Sequence, residues 1–193
     1  MTSISYKTVS GFYQNCRGLR TKLVNFKCNI ACINLDFLAL TETWLNDSFY
    51  DAELGLTNYN IYRFDRCSNT SCCLRSGGVL IGIRKDISSN LYVVPEIGVE
   101  HLFVEFRIGT SKFLICCVYF PPQFSSILYE NVMSTADNKV QSHCNHTIII
   151  CGDFNLPEIS WCNDKNGLTF SSYSHIRIPC VPEIFAFNGF FSN

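Results

Sequence analysis

The run Thr147-Ile148-Ile149-Ile150-Cys151-Gly152-Asp153-Phe154-Asn155 places a carboxylate and a carboxamide just past four consecutive β-branched residues. Such a stretch suits a strand covered on both faces, and the glycine lets the backbone turn where it emerges. In extended chain, Asp153 and Asn155 point to one side. One charged oxygen ligand beside a neutral donor and acceptor, on a rigid support, suits a hard cation together with phosphate oxygens. Taken alone, the same residues also make an ordinary turn.

The elements that must hold these groups are legible from hydrophobic pattern. Gly11 to Asn15 reads as a strand, and Leu19, Leu23, Phe26, Ile30 and Ile33 recur at helical spacing. Asp36 to Glu42 is a second buried strand, and Tyr59 to Phe64 a third. Gly77 to Ile83 follows as a fourth. Leu91 to Val94, His101 to Ile108 and Lys112 to Phe120 read as a meander, with a tight turn at Gly109-Thr110-Ser111. Ile127 to Gln141 reads as a second helix ahead of the Thr147 strand. Strands outnumber helices, which predicts α/β layers with antiparallel or mixed sheets. The 193 residues fit one domain over 1–193.

Four strands end in polar residues: Asn15, Glu42, Tyr119 and the Asp153/Asn155 pair. Ligands collect at such ends in layered α/β proteins. Each residue also has a plain reading. Asn15 forms turns, Glu42 starts helices before Trp44-Leu45, and a strand tyrosine such as Tyr119 is more often core.

Composition excludes several classes. Hydrophobic content of 47% describes a folded core, and a net charge of −1 gives no overall field toward nucleic acid or acidic membranes. The longest apolar stretch, Phe113 to Pro121, is too short to span a bilayer, and the N-terminus lacks the blocks of a secretory signal. The expectation is an intracellular protein, nuclear or cytoplasmic, with no membrane partner. Of the 12 cysteines, none makes a zinc-finger or ribbon spacing, including Cys28/Cys32, Cys67/Cys72/Cys73 and Cys144. Without secretion a disulfide scaffold is disfavoured, so Cys116, Cys117 and Cys151 read as small buried apolar residues.

Six motifs fall in order: Tyr13-Gln14-Asn15-Cys16-Arg17-Gly18-Leu19, Leu40-Thr41-Glu42-Thr43-Trp44-Leu45, Arg63-Phe64-Asp65-Arg66, Ser76-Gly77-Gly78-Val79, Val118-Tyr119-Phe120-Pro121-Pro122 and Cys151-Gly152-Asp153-Phe154-Asn155. Together they resemble the endonuclease/exonuclease/phosphatase superfamily. They are most similar to the apurinic-type endonuclease domain of jockey-like non-LTR retrotransposons, over about Ser10 to Trp161. The resemblance implies a four-layered α/β sandwich of the DNase I-like type and Mg²⁺-dependent hydrolysis of phosphodiesters, with Mn²⁺ as a substitute. DNA is the implied substrate, and a reverse transcriptase domain the implied companion in the parent polyprotein. Glu42 is then the principal metal carboxylate, with Asn15 and Asp153 as the other metal-binding residues. Asp153 would position or deprotonate the attacking water, Asn155 would orient water or phosphate, and Tyr119 would donate to the phosphate. Arg17, Arg20 and Lys22 are candidates to reach DNA phosphates, with a solvated helix face as the competing reading. Arg63, Asp65 and Arg66 read as a structural ion-pair cluster supporting the rim.

One part of the resemblance breaks. The superfamily usually closes with a Ser-Asp-His motif, and this sequence has no Asp-His dipeptide. Ser174-His175 is its nearest imitation and lacks the aspartate, while His101, His143 and His146 have no motif to recommend them. The expectation is a domain missing its C-terminal strands, with apolar surface left exposed beside them and a weak or inactive site. A non-catalytic remnant and a phosphatase acting on small phosphoesters are the alternatives.

Overall fold

The computed structural model describes residues 8–66, 76–95, 98–122, 125–143, 145–165, 167–172 and 178–187. They form ten strands, three α-helices and a short 3-10 helix at Asp51–Leu54, in two compact units. The first unit holds two four-stranded mixed sheets. One sheet takes β1 (Gly11–Asn15), β2 (Phe37–Thr41), β3 (Tyr59–Phe64) and β4 (Val79–Arg84) in the order β1-β2-β4-β3. The other takes β5 (Ser88–Leu91), β6 (Glu100–Ile108), β7 (Ser111–Tyr119) and β8 (His146–Asp153) in sequence order. Helix α1 (Leu19–Ala31) also belongs to this unit.

Two clusters pack the faces of the first sheet, and a third, around Phe103, Leu114 and Cys116, lies on the other face of the second. Leu19, Phe26 and Ile30 of α1 pack with Leu38 and Leu40 of β2, so one face of the first sheet is covered by the helix. The opposite face, through Ala39, Val79, Ile81 and Ile83, meets Leu102, Val104, Phe106, Ile115 and Cys117 of the second sheet. The alternation of Leu38/Leu40 and Ala39 along β2 is what period two requires of a strand buried on both faces. Every residue of β2 is buried.

Most sequence-predicted elements are present within a residue or two. The strand expected at Leu91 to Val94 instead occupies Ser88–Leu91, and Val93 is 81% exposed. Its four residues pair antiparallel with β6 at the sheet edge, where a polar sequence is no disadvantage. Cys116 and Cys117 are buried, and all the described cysteines are free thiols. Cys67, Cys72, Cys73, Cys144 and Ser174-His175 lie outside the described residues.

The second unit contains α2 (Ser126–Ser142), the antiparallel hairpin β9 (Ile159–Asp164) and β10 (Gly167–Ser172), and α3 (Cys180–Phe187). An aromatic cluster builds it: Phe120 stacks on Tyr129 at 3.8 Å between centroids, and Phe154 and Trp161 both meet Phe185. Among the described residues no strand pairs with the free edges of β1 and β8, and Gly11, Tyr13 and Gln14 of β1 are exposed. No helix among the described residues is long and apolar enough to cross a membrane.

Candidate active site

Parallel pairing brings strand ends of one polarity together. β1 runs parallel to β2 with Asn15 opposite Thr41, and β7 runs parallel to β8 with Tyr119 opposite Asp153. Asn15, Glu42, Tyr119 and Asp153 therefore stand where four strands stop, at one rim of the two-sheet unit. The Asn15 amide joins them: its Nδ2 donates to Glu42 Oε1 at 2.9 Å and to Asp153 Oδ2 at 2.6 Å. Those carboxylate oxygens are thus no further apart than the sum of the two bonds. Asn15 Oδ1 accepts the Arg17 backbone N–H at 3.1 Å, which fixes the amide's orientation.

Local backbone geometry sets each group. The β1–β2 ladder continues past the strands, with Cys16 N–H to Thr41 O and Gly18 N–H to Glu42 O, both 2.8 Å. Glu42 has φ 51, outside both helix and strand, so the helix-start reading of this residue does not hold. Gly152, opposite Val118, admits no side chain, since a Cβ there would lie 2.1 Å from the Val118 carbonyl oxygen. This close approach draws the end of β8, and with it Asp153, against β7 beside Tyr119.

Tyr119 is buried, and its phenol is pushed up to about 12, first by burial and then by the negative charge of Glu42. The Arg66 guanidinium opposes this shift from 5.5 Å over the ring. Arg66 is itself held by Glu100, through Nε to Oε1 and Nη2 to Oε2, with side chains 4% and 2% exposed. Glu100 Oε2 also accepts the Gly78 N–H at 2.9 Å. Burial works against the Arg66 charge, and the Glu100 hydrogen bond and charge outweigh it, so its pKa is raised.

Arg63, Asp65 and Arg66, expected as one ion-pair cluster, divide between two sets of partners. Arg63 does bond Asp65, and it also reaches Asp51 and the Phe49 carbonyl, tying the segment after Trp44-Leu45 to β3. Arg66 instead takes a distant acid, Glu100, which sequence reasoning missed. The available signal was a lone glutamate heading the apolar run Leu102-Phe103-Val104.

The remaining predicted residues divide. Asn155 does not continue the extended strand assumed from its spacing: β8 ends at Asp153, and Asn155 has φ 48 with its Nδ2 donating to Phe120 O within the second unit. Arg17 and Arg20 are exposed, Arg20 lying over the Phe49 ring. Lys22 Nζ donates to the carbonyls of Cys16 and Arg17, so it braces the loop that carries Asn15. A cavity of about 420 Å³, lined by Lys27, Leu56, Asn58 and Arg84 among others, opens toward the start of β2 and holds none of these groups.

Chemically, two carboxylates, an amide and a protonated phenol at one rim form a hard, oxygen-rich donor set. Such carboxylates repel unless a proton or a cation lies between them. The set fits a divalent cation such as Mg²⁺, which takes one or two carboxylates and keeps several waters.

Among solved structures, the chain resembles TDP2 from Caenorhabditis elegans (17% identity, TM-score 0.56), covering 79% of this chain and 52% of that one. It also resembles the endonuclease domain of TRAS1, a telomere-specific non-LTR retrotransposon (11% identity, TM-score 0.54, 77% and 60% covered). D. rerio TDP2 complexed with single-strand DNA product matches at 15% identity and TM-score 0.54, with 79% and 68% covered. These likenesses show the fold, which is of the DNase I-like α/β type, and the chain spans little more than half the length of the first of these structures. No curated protein matches the sequence. The model of the Endonuclease/Exonuclease/phosphatase family matches residues 13–164, most of the chain, and the protein belongs to that family.

Proposed function

We propose that this chain hydrolyses phosphodiester bonds at the Asn15–Glu42–Asp153 rim with a bound Mg²⁺, as the DNA-nicking endonuclease domain of a non-LTR retrotransposon. The observation that carries the reading is the Asn15 amide holding two carboxylates together at the ends of parallel strands. Evolution of a stable fold alone gives no reason to crowd two anions, and a phosphoryl-transfer site does.

In this account Glu42 and Asp153 supply the charged oxygens for the cation, with Asn15 fixing their separation. The ion would act as Lewis acid toward a phosphoryl oxygen and raise the acidity of bound water. Asp153 orients the attacking water and accepts its proton. Tyr119, still protonated far above neutral pH, offers an O–H to the phosphate as its charge grows. Arg66 and Glu100 hold that phenol in place from behind. Arg17 and Arg20 serve as exposed cations along the path of a nucleic-acid backbone.

DNA as substrate draws on two neighbours, one a retrotransposon endonuclease domain and one holding single-strand DNA product. The test compares plasmid nicking with hydrolysis of a small aryl phosphomonoester, each with Mg²⁺ and with Glu42→Gln. Glu42-dependent nicking supports the endonuclease reading. Glu42-dependent cleavage of the monoester alone replaces it with a phosphatase, and neither activity overturns it.

A further inference from the structure

Several large apolar residues of the two-sheet unit are exposed, and Trp44 is the one among the described residues that joins exposure to a positive φ. It sits two positions after Glu42, is 46% exposed, and has φ 54. A positive φ in a bulky residue is a genuine outlier, and such outliers concentrate at binding sites. Three contacts impose it. The Trp44 N–H donates to Gly77 O at 2.9 Å, and the preceding Thr43 N–H to Gly78 O at 3.3 Å. The indole packs against Gly18, where an added Cβ would be 2.7 Å from its Cε3. Gly18 in turn bonds the Glu42 carbonyl, so the indole is locked to the same turn that aims the Glu42 carboxylate. Thr43 is fully buried between them and its hydroxyl has no hydrogen-bond partner.

A tryptophan kept half in water, on a strained backbone, gives up burial that a polar residue there would not forfeit. Its surroundings define what it suits. Arg17 is exposed on the neighbouring turn with φ 44, and Arg20 is exposed three positions on, at the second residue of α1. A fixed aromatic face beside cations, next to carboxylates suited to phosphoryl chemistry, matches a polyanion that carries flat rings. Single-stranded nucleic acid is that ligand, since every base has a stacking face and every linkage a charge.

We infer that Trp44 is a stacking platform for an unpaired base flanking the scissile phosphate, with Arg17 and Arg20 receiving the adjoining backbone. This makes Trp44 a positioning residue, and it rests on the phosphodiesterase reading above. It also makes the substrate class a single strand, or a duplex opened next to the cut. Uniform stacking gives little base preference, so discrimination falls on strandedness rather than sequence.

The test is fluorescence anisotropy with a short single-stranded oligodeoxynucleotide and its fully abasic counterpart, in EDTA and at one salt concentration. Trp44→Ala should weaken binding of the base-bearing strand roughly 5- to 100-fold and leave the abasic strand unchanged. Trp44→Phe should restore most of the loss. Trp44→Gly, which relieves the positive φ, should melt no lower than Trp44→Ala and still bind weakly, separating stacking from folding. In Trp161→Phe, where Trp44 is the remaining tryptophan, emission should quench on adding the base-bearing strand. Equal loss on both strands, or none, overturns the stacking role while leaving the nuclease reading standing. Failure of the unsubstituted protein to bind either strand overturns both.

Discussion

Replacing Asn15 by aspartate tests the electrostatics of the rim without relying on turnover. The native amide stands 2.9 Å from a Glu42 oxygen and 2.6 Å from an Asp153 oxygen and donates to both. Asn15→Ala removes those bonds and admits water, at a cost of about 1–3 kcal/mol. Asn15→Asp removes them and adds a third negative charge in the same place. Each like-charged pair ~4 Å apart costs about 4 kcal/mol at an effective dielectric of ~20. Asn15 and Glu42 are only half-buried, so solvent takes part of that, and about 3–5 kcal/mol beyond Asn15→Ala is expected in total. The carboxyl introduced at position 15, set between two acids, then holds its proton more tightly folded than unfolded. A raised folded pKa gives stability that is present at low pH and lost as pH rises, so the aspartate variant should approach the alanine variant near pH ~4 and fall below it above pH ~6. A divalent cation should rescue it at pH 8, by about 2.7 kcal/mol when Mg²⁺ reaches ~100 times its Kd. Urea unfolding at both pH values, with Mg²⁺ and with EDTA, reads all of this. If Asn15→Asp tracks Asn15→Ala at pH 8 and ignores Mg²⁺, the carboxylates do not share a cation site.

Three further outcomes follow from other parts of the unit. Arg66→Met strands the buried Glu100 carboxylate and should cost about 3–5 kcal/mol in urea, whereas the double variant Arg66→Met/Glu100→Leu should cost much less than the two singles together. Between pH 10 and 12 an unfolded tyrosine ionises while folded Tyr119 does not, so stability should fall with rising pH by about 2–3 kcal/mol, and Tyr119→Phe should remove that share. The Cys16 thiol, pushed up to about 11 by burial, adds its own fall beginning near pH 9, which Tyr119→Phe leaves intact. Gly152→Ala should displace the end of β8 from Val118 and lower both the melting temperature and any Mg²⁺ response, because the new methyl meets a backbone oxygen that cannot swing aside.

Much of the candidate site was readable because its residues sit where hydrophobic strands stop. Glu42 and Tyr119 follow runs that are buried as their sequence suggests, Asn15 and Asp153 follow edge strands β1 and β8 that are less covered than expected, and parallel pairing brings all four ends level. Backbone departures were not readable. Asn155 looks extended by spacing, yet the turn after Asp153 puts it at φ 48, and Trp44 carries no sign of its positive φ. Glu100 was hidden because its partner Arg66 lies 34 positions away, and charge pairing across that distance follows only from the fold. Edge strands escaped for a different reason. β5, with Ser88, Ser89 and Asn90, lies at a sheet edge and needs no apolar alternation, so pattern alone placed a strand too far along, at Leu91 to Val94.

In the proposed function Glu42 and Asp153 serve one cation-assisted phosphodiester cleavage. Relaxation of supercoiled plasmid by purified protein, with Mg²⁺ and with EDTA, tests it when Glu42→Gln and Asp153→Asn are run beside the unsubstituted chain. Slow nicking is expected that needs Mg²⁺ and disappears in both variants while their urea midpoints stay near or above that of the parent. Nicking that persists in Glu42→Gln, or that proceeds equally in EDTA, would contradict it.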